Sequence, residues 1–342
     1  MKKFLLICLA CCVMSSSSPS FAFDPLVVGK LTVEAASLLY KAYQWWKNDD
    51  GKKADEELQR RRAASMTVLM EAAHKESIED IARLLRAGEI INAKDYDGDT
   101  ALTYAIAGNT PEVVKFLIDS GAYVNERILG YALIRNEPEI LAIILEKNFD
   151  KKVLNKSLAK IKLDGLKFGI VKELMKFGAD INYKDEDNNN ETLLMRLVRN
   201  EGSNPKFVRA IIESGASVSL RNSDGMNSLM YAAKYNKNTE MTRVLLREFY
   251  TGSPSSAFRS TKPSINTRDD NGRTALMYAA ESNTDKIVNL LIDSGSDVTI
   301  RDNEGNKAVD YALGWLGGNS LVKGTDAFER LGTSDNWVRP YW

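Results

Sequence analysis

Between residues 66 and 320 the apolar positions come in paired short segments. The first of each pair is compact and holds alanine, as in Ala101-Leu102-Thr103-Tyr104-Ala105. The second places apolar residues at i, i+3 and i+4, as in Val113-Val114-Lys115-Phe116-Leu117-Ile118. That spacing gathers them on one face of a helix. A glycine follows the second segment, at Gly121, Gly178 and Gly295. Glycine ends a helix there because it enters the left-handed region without steric cost. Polar turns carrying Gly98, Gly225, Gly272 and Gly305 precede first segments, and the fifth copy holds Asn190 instead. After glycine, asparagine best tolerates that conformation. The pattern predicts helix–turn–helix units joined by polar turns.

The units repeat in register. Asp97-Gly98-Asp99-Thr100-Ala101-Leu102-Thr103-Tyr104-Ala105 recurs as Asn271-Gly272-Arg273-Thr274-Ala275-Leu276-Met277-Tyr278-Ala279, and again from Asp224 to Ala232. Thr67 to Thr100 and Thr274 to Lys307 are both separated by 33 residues. Eight copies are counted, near 67–92, 98–125, 127–150, 153–183, 190–220, 225–250, 272–300 and 305–320. The third and fourth are degenerate. Tyr131 follows Tyr104 by only 27 residues, too few for a full finger, and Leu163-Asp164-Gly165-Leu166 interrupts the fourth copy. The stack is expected to be weakest or most bent there. From Tyr231 to Tyr278 the spacing grows to 47, which predicts a loop insertion at 250–264, rich in Ser, Pro, Thr and Gly.

The Thr-Ala-Leu opening, the Ala-Ala of the first helix and the Gly178-Ala179-Asp180-Ile181-Asn182 ending resemble the ankyrin repeat family, over about three quarters of the chain. The resemblance implies an all-α repeat solenoid, a stack of helix-turn-helix units with β-turn fingers. No unit buries its own apolar face, so stability comes from stacking on neighbours. Residues 23–65 read as a helical N-terminal cap, with Leu31, Ala35, Leu38, Leu39, Ala42 and Trp46 on one face, and 321–342 as a C-terminal tail. A membrane-surface role for the Trp45-Trp46 helix is the rival reading of that cap.

Residues 1–22 read as a signal peptide. Lys2 and Lys3 precede an apolar run from Phe4 to Met14, and Ser20-Phe21-Ala22 offers a cleavage site before Phe23. The run is about half of what spans a bilayer. Lipid attachment at Cys11 and a retained anchor are the alternatives. All three cysteines, Cys8, Cys11 and Cys12, lie in this segment, so the mature chain has no thiol chemistry and no disulfide. It carries 44 basic against 46 acidic side chains, which argues against nucleic acid as partner. The signal peptide implies an exported product, periplasmic or secreted, and with no later apolar run long enough to span it is expected to be soluble once cleaved. The Lys, Asn and Ile usage suggests a bacterium.

Catalytic chemistry is sought without success. His74 is the single histidine, which excludes a histidine-based zinc site, and neither a nucleophile elbow nor a phosphate-binding loop is found. Asp185, Asp187 and Asn189 mimic the start of a calcium loop, but Arg196 stands where a bidentate Glu is needed. Asp95, Asp97 and Asp99 fail in the same way, and both sets read as finger turns. No catalytic residue, cofactor or metal is expected.

The resemblance implies a protein partner, unidentified, bound in the concave groove of fingers and first helices. The candidate finger positions are Tyr96, Asp97, Asp99, Ser223, Asp224, Met226, Asn271 and Arg273. The helix positions are His74, Lys75, Lys234, Tyr235, Glu281 and Ser282. Tyr104, Tyr131, Tyr231, Tyr278 and Tyr311 recur just before the first-helix alanine. They form either a packed ladder or a partly exposed aromatic stripe that joins the interface. An inhibitor of a toxin or enzyme and an effector acting on a host protein are alternative roles for such a module.

Overall fold

The computed structural model describes residues 65–75, 77–251, 264–313 and 325–332, the side chains of 248–251 excepted. The segment expected to be a signal peptide, the expected N-terminal cap apart from Ser65, and most of the expected 250–264 insertion lie outside the described residues. So does most of the tail. The described chain is helical, with a lone antiparallel bridge between Asp185 and Glu191. It divides into two compact units.

The first unit holds α1 (Val68–Lys75), α2 (Ile78–Arg86) and α3 (Ala101–Gly108). α1 packs against both α2 and α3, across the buried Ala72, Ala73, Ala101 and Ala105. Small side chains permit that approach. The second unit runs through α4 (Pro111–Asp119), α5 (Glu126–Arg135), α6 (Pro138–Leu145), α7 (Lys151–Lys160), α8 (Phe168–Lys176), α9 (Leu193–Arg199) and α10 (Pro205–Glu213). It continues with α11 (Ser228–Tyr235), α12 (Thr239–Thr251), α13 (Ala275–Ser282), α14 (Asp285–Asp293), α15 (Ala308–Ala312) and α16 (Asp326–Leu331).

Two layers make up the second unit. First helices α9, α11, α13 and α15 lie side by side, and second helices α6, α8, α10, α12, α14 and α16 form the other row. Each apolar stripe is spent on this core. Ile287, Val288 and Leu291 of α14 are fully buried, as are Ile170, Val171 and Leu174 of α8.

The recurring Thr-Ala-Leu opening is a helix cap. Thr67, Thr192 and Thr274 accept the backbone N–H three residues on, and Asn227 does the same at 3.0 Å. That satisfies one of the orphan donors of the first turn. The closing asparagine of the unit ties it to the next. Asn182 donates to Gly215 O at 2.9 Å and accepts from Ser217 N at 2.8 Å, and Asn266 repeats the pair with Gly295 and Asp297.

Finger glycines carry two constraints. Gly225 and Gly272 both have φ of +78°. A Cβ on Gly225 would fall 2.2 Å from Asp270 Oδ1, and one on Gly272 would fall 2.8 Å from the Asn303 backbone nitrogen. Neighbouring fingers leave no room for a side chain. The fifth finger is longer, and Asn189 and Asn190 both take the left-handed conformation expected of Asn190 alone.

Copies three and four do form helix pairs, α5–α6 and α7–α8. They have no finger. Asn125 and Asp150 cap α5 and α7 directly, through Ile128 N and Lys152 N. The last unit extends past the boundary expected at 320. α16 packs on α14 and α15 through buried Ala327 and Leu331, and Arg330 bonds Asn289 and Asp293. Two apolar anchors among charged residues leave too weak a periodicity to read from sequence.

Candidate protein-binding face

In three of the fingers one carboxylate organises both the turn and the helix that follows. Asp269 Oδ1 accepts the backbone N–H groups of Asn271 and Arg273, at 3.0 and 2.8 Å. Its Oδ2 accepts the Tyr278 hydroxyl at 2.6 Å. Asp302 holds Glu304 N and Asn306 N and accepts the Tyr311 hydroxyl. In the first unit Asp95 does the same with Asp97 N, Asp99 N and the Tyr104 hydroxyl. A negative charge clamps the turn at one oxygen and the following helix at the other. The tyrosine recurs visibly in the sequence, but its pairing with an aspartate nine residues earlier emerges only from the structure.

Asn222 replaces the aspartate in the sixth finger and changes the wiring. It keeps the turn, accepting from Asp224 N and Met226 N, but donates Nδ2 to the Tyr231 oxygen at 3.0 Å. The Tyr231 hydroxyl is thereby free to donate to buried Glu191 of the preceding copy, at 2.7 Å, where Arg199 also binds. Burial, and then the neighbouring carboxylate, pushes all these phenols up. Tyr104 reaches about 12, and Tyr231, Tyr278 and Tyr311 shift in the same direction.

These bonds correct part of the expected interface. Tyr231, Tyr278 and Tyr311 are buried, and so is Met226. They cannot meet a partner, because the neighbouring repeat covers each ring. Tyr104 and Tyr131 are half-buried. Arg273 is not a finger-tip charge. Its guanidinium lies 4.1 Å from the ring centres of both Tyr278 and Tyr311 and pairs with Glu281. Both partners of that pair are largely covered, so Glu281 is committed as well.

The other candidates stay near water. Lys75, Tyr96, Asp97, Ser223, Asp224, Tyr235, Asn271 and Ser282 are exposed, and His74, Asp99 and Lys234 are half-buried. His74 Nδ1 lies 3.3 Å from Tyr104 O, and its ring fills the space over Gly108. Ser223 and Asp224 accept the side-chain amides of Asn190 and Asn189, so their exposed oxygens already serve the finger row. The backbone of that row is continuous, through Ser223 N to Asn189 O, Asp270 N to Asp224 O and Asn303 N to Asn271 O. Tyr235 remains the accessible aromatic of the second unit's first helices, 41% exposed, with Lys234 over its ring.

Arg196 stands in the fifth copy where others have tyrosine. It reaches back to Ala159 O and Ile161 O and caps the C-terminus of α7. Asp185 to Asn190 form a finger turn, with Asp187 paired to Lys160 at 2.9 Å. Among the described residues no group of three or more His, Cys, Asp or Glu is placed to hold a metal ion. No described helix is long and apolar enough to cross a membrane.

The family model of Ankyrin repeats (3 copies) matches residues 35–128, 69–155, 162–254, 194–302 and 250–323. The chain belongs to the ankyrin repeat family. Among curated relatives, a phosphocholine transferase, AnkX, of Legionella pneumophila is 28% identical over 147 residues. That match covers 43% of this chain and 15% of the transferase. A putative ankyrin repeat protein, R664, of Acanthamoeba polyphaga mimivirus is 31% identical over 98 residues, 28% of this chain and 60% of the relative. The chain thus spans only part of the relatives it matches. As an ankyrin stack it is a protein–protein interaction module.

Proposed function

We propose that this ankyrin protein is exported and holds a partner protein on the exposed side chains of its fingers and first helices, without catalysing a reaction. One observation carries the reading. Asp95, Asp269 and Asp302 commit their carboxylates to the finger turns and to the buried or half-buried tyrosines, and the row of fingers and helices presents exposed Lys75, Tyr96 and Asp97 in one unit. In the other it presents Lys234, Tyr235, Asn271 and Ser282. Tyrosine beside lysine suits a protein surface, because its ring gives area at low rotamer cost and its hydroxyl stays wet. The transferase activity in one relative's name stays with that relative, of which this chain matches 15%.

The test is affinity capture from cells making the full chain, compared with a Tyr96→Ser, Asp97→Ser, Tyr235→Ser variant. The variant is expected to lose the captured protein while its helical melting transition is unchanged. Capture that survives in full sinks the proposed face. Export is read separately, by mass spectrometry of the recovered N-terminus. Phe23 is the expected first residue, and an intact Met1 overturns that part.

A further inference from the structure

A cleft of about 550 Å³ opens between α5 and α7, where the third and fourth repeats meet. Large side chains and the missing fingers accompany it. α11 and α13 carry Ala233 and Ala280 after their Tyr-Ala step, and they pack side by side. α5 carries Leu133 at that position and Ile134 after it, and neither repeat has a finger to bridge the gap. Leu133 is half-buried and Ile134 is 78% exposed. With half-buried Val153 and the buried Ile161 from the other side they line an apolar trough.

The wall formed by α7 is basic. Lys152, Lys156 and Lys160 recur every four residues along one stripe of the helix, and Lys162 follows at its end. Asp187 neutralises Lys160. Asp187 also interacts with Lys156 at longer range, no salt bridge is formed by Lys152, Lys156 or Lys162 among the described residues, and Glu126 is the acidic group on the opposite wall. The described face is therefore apolar at its floor and positive at its rim. No aromatic side chain lines it on which a base could stack, which disfavours a nucleic-acid strand. The apolar lining is split between two helices, with Leu133 and Val153 half-buried and Ile134 exposed, a shape that suits a single side chain better than a flat bilayer.

We infer that this cleft binds an acidic peptide segment of a partner protein, seating one apolar side chain against Leu133, Ile134 and Val153 while flanking carboxylates pair with Lys152 and Lys156. Burial of the side chain supplies affinity, and the lysines select sequence and register. The inference rests on the reading of the chain as a binding module, and it names a site and a ligand chemistry for it.

The probe is a short fluorescent peptide alternating glutamate and leucine, titrated into the purified full-length protein by anisotropy. The affinity is expected to fall at least tenfold in a Lys152→Glu, Lys156→Glu variant and to weaken with added salt. A lysine–leucine peptide should bind that variant better than the parent. Ile134→Asp should weaken the acidic peptide too, and a glutamate–serine peptide should bind poorly. Lys172→Glu, exposed on α8, should change nothing. Both charge-reversed positions are exposed, so an unchanged melting transition is required of every variant. Acidic-peptide affinity that is absent in the parent, or equal in the charge-reversed variant, overturns the site. Because the peptide is measured on purified protein, that failure is independent of whether the Tyr96, Asp97 and Tyr235 variant loses its captured partner.

Discussion

The Tyr278 hydroxyl donates to Asp269 Oδ2 at 2.6 Å, from the helix that begins at Ala275, just after the turn Asp269 organises. Both groups are buried. Removing the phenol oxygen leaves a buried carboxylate oxygen without that donor, which costs about 1–3 kcal/mol. Tyr278→Phe is therefore expected to lower the urea midpoint by that equivalent. Tyr235→Phe, on the exposed face, should stay within about 0.5 kcal/mol of the parent. Equal losses in the two would show that the bond gives no particular stability.

The same bonds set an alkaline limit. The Tyr104 phenol sits at about 12, raised by burial and by Asp95, and Tyr231, Tyr278 and Tyr311 are raised likewise. Above about pH 10 the unfolded chain releases phenol protons that the native state retains. The contribution is thus complete below pH 10 and declines as pH rises toward the folded values. The melting temperature should fall progressively above pH 10. Replacing Tyr231, Tyr278 and Tyr311 by Phe should flatten that fall while lowering the starting value at neutral pH. An unaltered slope removes the phenols as its cause.

Arg273 joins two repeats and is expected to act on stability. Its guanidinium lies between the rings of Tyr278 and Tyr311 and pairs with Glu281, which has little access to water. Arg273→Ala breaks a partly buried pair and two cation–π contacts, a loss of about 2–4 kcal/mol. Arg273→Lys keeps the charge but not the planar stack, and should recover only part of it. Chemical denaturation of the two variants decides this, and full recovery by lysine would refute the stacking role.

Much of this is legible in the sequence, and what is not depends on neighbours. Gly225 and Gly272 announce the fingers because their backbone conformation and the adjacent finger exclude a side chain. Thr192 and Thr274 announce helix starts because capping is a local matter. The recurrence of Tyr231, Tyr278 and Tyr311 is equally visible, but each ring is covered by a cation of the preceding repeat, Arg199, Lys234 or Arg273, and each hydroxyl is held by a carboxylate. For Tyr278 and Tyr311 that carboxylate lies nine residues back, at Asp269 and Asp302. Arg273 resembled a finger-tip contact because its second ring, Tyr311, comes from the following repeat. The cleft left no clear trace, because the position of Leu133 is alanine in α11 and α13 but Ile106 in α3 and Leu313 at the end of α15, so only packing reveals the opening.

Two helical glycines carry opposite predictions. Gly130 lies within α5, and a Cβ placed there meets no heavy atom within 4 Å. Gly130→Ala removes the entropic cost of glycine in a helix and should stabilise the protein by about 0.5–1 kcal/mol. Gly108 ends α3, and a Cβ there would fall 2.2 Å from the His74 ring. His74 would have to swing away from Tyr104 O, so Gly108→Ala should be neutral at best and destabilising where the ring cannot move. Thermal melts of the two single variants give the comparison. A Gly108→Ala protein that gains as much as Gly130→Ala would mean that His74 is a mobile surface residue, not a packed link between α1 and α3.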